Sequence, residues 1–139
     1  MVFVLDEGSV FDEPVDKIWR FMREGREFHK HGNRGDTQVE VQGNSIVLTF
    51  EAQGPSGKTT IKMKSTEVAP LGRIMEYLQG PLAGSRAIVY YVPLGNKTGI
   101  TVVGEYVSKV IPEDQIRSMV LSQAERSFNE DVENLKQFK

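Results

Sequence analysis

Hydrophobic positions along this chain change their period twice. Val2 to Phe11 is rich in Val, Phe and Leu and reads as a strand. Pro14 follows, with Asp12, Glu13 and Asp16 around it. Proline suits the first turn of a helix and acidic residues suit its positive end. Val15, Ile18, Trp19 and Met22 recur at spacings of three and four, which predicts one apolar face of a short helix ending near Gly25. Phe28 to Gly32 is polar apart from Phe28 and has room for one more helical turn.

From Thr37 the period shortens to two. Val39 and Val41 alternate with polar neighbours, and Gly43-Asn44 turns the chain. Ile46, Leu48 and Phe50 alternate next, before the break at Gly54-Pro55-Ser56-Gly57. Ile61 and Met63 alternate with Lys62 and Lys64, and Pro70-Leu71-Gly72 breaks the run again. Strands are expected over Ile74–Leu78, Ala87–Val92 and Ile100–Val107, separated by Gly80-Pro81, Gly84 and the 95–99 turn. Loops this short join neighbouring strands, so the sheet is expected to be an antiparallel meander.

The period then lengthens. Pro112, with Glu113 and Asp114, restarts a helix whose stripe is Ile116, Val120, Ala124, Phe128, Val132, Leu135 and Phe138. Met119 and Gln123 flank the stripe, and Arg117, Glu125, Arg126, Glu130 and Glu133 form the expected solvated side. Helical from Pro112 to Phe138, this element would run about 40 Å.

Composition narrows the function classes. The 139 residues suit one domain, 1–139, and no repeat or linker divides them. A net charge of −2 lacks the basic footprint of a nucleic-acid binder. The absence of cysteine excludes disulfides, thiolate metal sites and cysteine nucleophiles. No apolar run approaches a membrane span, and the first residues lack the basic flank of a signal peptide, so a cytoplasmic location is expected. Asp6, Glu7 and Asp12 on the opening strand discourage edge pairing, so the expected state is a monomer or weak homodimer.

A long amphipathic helix needs a surface for its stripe, and a twisted sheet offers a concave face. The expected architecture is α+β: a curved antiparallel sheet of about seven strands wrapped around the C-terminal helix, with one or two short helices after the first strand. Three features carry a family resemblance. These are the opening strand running into Val10-Phe11-Asp12-Glu13-Pro14-Val15-Asp16-Lys17-Ile18-Trp19, the meander, and the terminal helix after Ile111-Pro112-Glu113. Together they resemble the START-domain-like helix-grip superfamily (SRPBCC), which includes lipid-transfer domains, polyketide cyclases, birch-pollen-allergen-like proteins and Hsp90-activator domains. The resemblance covers essentially the whole chain. It implies a deep cavity between sheet and long helix and no universal catalytic residue, so function follows only by analogy.

Several motifs dissolve on inspection. Gly54 to Thr59 ends like a phosphate-binding loop, but Ala52 stands where a glycine is needed and a strand follows, so a hairpin turn is expected. Arg34-Gly35-Asp36 and the sequon Asn96-Lys97-Thr98 would need export, and chance explains both. Ser85 lacks the second glycine of a nucleophile elbow.

The weak catalytic candidates are His29, His31 and Glu105. The two histidines can act as acid, base or metal pair, or sit in a solvated loop. No metal and no cofactor is expected. Glu51, Glu76 and Glu105 lie mid-strand, where an inward carboxylate would have a raised pKa. For Glu105 both alternating sets, Thr101, Val103 and Val107 or Ile100, Val102 and Tyr106, are largely apolar, so parity does not decide its direction.

The expected ligand-binding residues are Trp19, Phe28, Met63, Met75, Tyr77, Tyr91, Tyr106, Met119 and Gln123. Buried tyrosines orient ligands through their hydroxyls, methionines give adaptable walls, and Gln123 offers an amide beside the helix stripe. The expected function is binding or transport of a hydrophobic or amphipathic small molecule, a lipid or an aromatic polyketide-like compound. A cyclase or dehydratase-like enzyme using the same cavity is the second expectation. An Hsp90-activator-like interaction domain is the third.

Overall fold

The computed structural model describes residues 1–6, 8–25, 30–32, 36–54 and 57–139. Its elements are β1 (Val2–Leu5), β2 (Ser9–Phe11), α1 (Val15–Glu24), β3 (Gln38–Gln42), β4 (Ser45–Gly54), β5 (Gly57–Val68), β6 (Gly72–Gln79), β7 (Arg86–Leu94), β8 (Lys97–Tyr106) and α2 (Glu113–Gln137). The strands form one curved antiparallel sheet in the order β1-β8-β7-β6-β5-β4-β3, with β2 also on β8.

The meander and both predicted helices are present. The opening stretch is two strands rather than one, which makes eight strands among the described residues. Gly8 sits at φ 99°, a conformation side chains resist, and its N–H donates to the Asp6 carboxylate. The chain therefore breaks between Leu5 and Ser9, and β1 and β2 take separate registers on β8. At the expected 54–57 turn, β4 and β5 pair up to Gly54 opposite Gly57, and residues 55 and 56 lie outside the described residues. The extra helical turn expected at Phe28–Gly32 falls partly outside the described residues, and 30–32 are not helical.

Each helix opens on a proline, Pro14 or Pro112, as the sequence pattern requires. At 25 residues, α2 is about 37 Å long. Its two ends are packed. Ile116 and Val120 join Val4, Leu82, Ala87 and Tyr106 in one buried cluster. Leu135 and Phe138 join Phe11, Ile18, Trp19, Phe21 and Tyr91 in another. A smaller cluster of Phe50, Ala52 and Met63 lies on the far strands.

Strand parity sets what lies beneath the middle of α2. Arg73, Met75 and Tyr77 of β6, Ala87, Val89 and Tyr91 of β7, and Ile100, Val102 and Tyr106 of β8 share the inner face. Gly104 occupies the inner position between Val102 and Tyr106 on β8. A Cβ there would lie 2.7 Å from the Tyr106 ring, so the glycine makes the room that ring fills.

Candidate functional site

Between the inner face of the sheet and the middle of α2 lies a cavity of about 980 Å³. That is ample for a ligand of drug or lipid-fragment size. Gln123, Ala124, Ser127, Phe128 and Asp131 line it from the helix. Exposed Lys30, Asp36, Thr37 and Val39 mark its mouth. Most of the remaining wall is apolar, including Leu48, Met63, Met75, Leu82, Val89 and Ile100.

Two polar groupings interrupt that wall. Tyr77 and Tyr106 form the first, with rings 5.9 Å apart and edge to face. Burial, and then the Tyr77 hydroxyl bonded to it, push the Tyr106 hydroxyl well above the usual phenol range, so it stays a neutral donor. The second grouping joins Arg73, Ser65 and Tyr91 on the sheet to Asp131 on the helix. Arg73 is only 8% exposed, and its Nε donates to Ser65 Oγ. Glu67 lies opposite it in the β5–β6 register, with Oε1 3.6 Å from Arg73 Nη1. Both Glu67 oxygens also accept from Arg23 of α1, each at 3.0 Å. The Arg23 hydrogen bonds hold the Glu67 carboxyl below the usual range, against a smaller opposing effect of burial. Tyr91 is 3% exposed, and desolvation raises its hydroxyl pKa.

Beside the mouth, His31 is clamped to α2. Its Nδ1 is 2.9 Å from Glu130 Oε1, and its Nε2 is 3.5 Å from Asp131 Oδ1. The Gly32 N–H donates to Glu130, and Asn134 Nδ2 donates to the Lys30 carbonyl. The Gly32 N–H, ahead of His31, lowers the Glu130 pKa. Glu130 is therefore part of this clamp and not of a merely solvated helix face.

The sequence candidates divide as follows. Met63, Met75, Tyr77, Tyr91, Tyr106, Gln123 and His31 line the cavity. Phe28 and His29 lie outside the described residues. Trp19 does not reach the cavity. It stands behind it, edge-on to Tyr91 at 5.2 Å and beneath the Arg23 guanidinium at 4.8 Å. Met119 packs beside the buried cluster at the N-terminal end of α2, at the edge of the helix face on which Val120, Ala124 and Ser127 meet the cavity. Glu105 points to the outer face, where it accepts from Arg86 at 2.8 Å. Its strand has Ile100, Val102 and Tyr106 inward, so Glu105 falls on the other side.

Arg73, Ser65 and Asp131 were not singled out by the sequence pattern. A signal existed for two of them. Arg73 alternates with Met75 and Tyr77, and Asp131 lies three residues after Phe128 and four before Leu135. Among the described residues, no group of three or more metal-ligating side chains is placed to hold an ion. No described helix is long and apolar enough to cross a membrane.

No known family pattern matches this chain, and no curated protein matches it. Solved structures do. A START superfamily protein from Mycobacterium smegmatis superposes with a TM-score of 0.80 at 12% identity, covering 99% of each chain. The ZhuI aromatase/cyclase from Streptomyces sp. R1128 gives 0.71 at 13% identity, over 96% of this chain and 90% of that one. Ara h 8.0201 gives 0.72 at 14% identity, over 98% and 99%. The chain thus shares the helix-grip fold of these proteins.

Proposed function

We propose that this protein binds a hydrophobic or amphipathic small molecule, a lipid or an aromatic polyketide-like compound, between sheet and C-terminal helix. The observation that carries this reading is the cavity itself: about 980 Å³, largely apolar, with a few polar groups grouped on its wall. Removing apolar ligand surface from water supplies the affinity, at roughly 25 cal/mol per Å² before ordering costs. Met63 and Met75 give a wall that adapts to ligand shape, and Tyr77, Tyr91, Tyr106 and Gln123 give it orientation. Native mass spectrometry after exposure to fatty acids, long-chain alcohols, sterols and polycyclic phenols tests the reading. A retained 1:1 adduct supports it, and a bare protein in every case overturns it.

A cyclase-like activity is the second reading. It is favoured by His31 and Asp131 on the helix side of the cavity and Arg73 and Tyr91 on the sheet side, groups able to move or hold protons on a reactive carbonyl chain. A bound ligand whose mass changes with time would support it. An Hsp90-activator-like role is less favoured: Phe3, Leu5 and Val10 are exposed apolar residues, but that reading expects no enclosed pocket.

A further inference from the structure

The three charges at the sheet-side polar grouping do not cancel. Arg23 and Arg73 share one carboxylate, Glu67, which leaves one positive charge in excess. Geometry says where that excess lies. Arg23 holds both Glu67 oxygens in a fork at 3.0 Å, the strongest arrangement available to the pair. Arg73 has only the longer 3.6 Å approach to an oxygen already engaged. Its Nε is satisfied by Ser65, while Nη2 has no hydrogen-bond partner among the described residues. Arg73 is nonetheless buried, and the space beside it is the cavity. A buried guanidinium with a spare donor is costly until something acidic meets it.

A second group repeats the pattern. Tyr91 is buried on the neighbouring strand, lines the same cavity and feels the Arg73 charge ahead of the opposing charges of Asp131 and Glu67. Its hydroxyl has no hydrogen-bond partner among the described residues. Burial keeps it protonated, so it is a donor. The one nearby acid on the opposing wall, Asp131, is engaged by His31 and by Asn134 on α2.

We propose that the cavity selects ligands carrying an anionic group, such as a carboxylate or an acidic phenol, held between the free edge of the Arg73 guanidinium and the Tyr91 hydroxyl. Arg23 is a positioning residue for this subsite: by occupying Glu67 it keeps that carboxylate from closing onto Arg73. Trp19 supports the arrangement from below, since Arg23 stacks on its ring. This proposal rests on the ligand-binding reading above and adds the chemistry of the polar end.

Dodecanoate and dodecanol share a tail and differ in the head, so their affinity ratio isolates the head group. Titration calorimetry at about pH 8 should find dodecanoate bound at least about tenfold more tightly than dodecanol by the wild-type protein. Arg73→Met should bring the ratio to about one. Arg23→Gln, at a half-exposed position away from the cavity, should lower the ratio severalfold and leave dodecanol binding unchanged. Dodecanol binding serves as the measure of an intact fold. Equal affinities in the wild type, or an Arg23→Gln protein that keeps the full ratio, would overturn the anionic subsite while leaving ligand binding in place. Failure of both compounds to bind would remove the ligand-binding reading and this one with it.

Discussion

The ends of α2 and its middle turn one face of the helix toward the sheet, yet they meet different surroundings. At the ends, Ile116, Val120, Leu135 and Phe138 are all less than a tenth exposed and interlock with side chains from α1, β1 and the sheet. In the middle, Gln123, Ala124 and Ser127 face open volume. Periodicity is the same throughout and side-chain size is not. A straight helix cannot follow a curved sheet along its whole length. Large residues close the gap where the surfaces approach, and small ones leave it open where they part. Stability is therefore concentrated at the ends and capacity for a guest in the middle.

That division can be broken deliberately. Leu135→Ala should cost about 2–5 kcal/mol of stability, because it empties a site 4% exposed inside a packed cluster. Urea unfolding with an unchanged slope would register it, and a loss below about 1 kcal/mol would mean that this end is not packed as described. Ala124→Phe should do the reverse. It fills the cavity, lowers affinity for any bound adduct by about tenfold or more, and moves stability by about 1 kcal/mol or less. A large loss of stability with intact binding would show that the middle is core after all.

The smallest effect is expected where the 30–32 segment meets α2. The Glu130 pKa lies below its ordinary 4.5 in the folded protein. Its contribution to stability is therefore complete above that value and is lost as pH falls through the lower folded value. Glu130→Gln should narrow the stability difference from wild type as acid is added, and thermal unfolding followed between pH 7 and about pH 3 would trace it. A difference independent of pH would assign the effect to lost packing.

The architecture was legible because its elements are long and their periods clear. Alternation at Ile46-Leu48-Phe50 and the stripe from Ile116 to Phe138 both survive into the structure. The site was legible only in its apolar half. Tyrosines and methionines announce themselves by type, and those on the inner parity reached the cavity. Trp19 did not, since α1 packs against β7 and β8 beside the C-terminal end of α2 and sets its indole edge-on to Tyr91 among Leu135 and Phe138. Charged residues were harder to assign. Glu105, on a strand apolar on both faces, turned outward, while Arg73 and Asp131 turned inward among apolar neighbours. A charge inside a hydrophobic pattern is ordinarily read as an exception to it. Here the exceptions are the groups that give the cavity its polarity.

The order of strands carries a last consequence, for the path by which the chain assembles. From β3 to β8 every strand pairs with its neighbour in sequence, through short connections. The opening strand instead finds β8, with Val4 opposite Gly104, across about a hundred residues. Local hairpins close cheaply and early, whereas this seam must wait for the sheet that receives it. Val4 also belongs to the cluster that seats the N-terminal end of α2. Pulse-labelled amide exchange during refolding should therefore protect β4 through β7 before β1, and the helix should gain its final seat only when the first residues of the chain arrive.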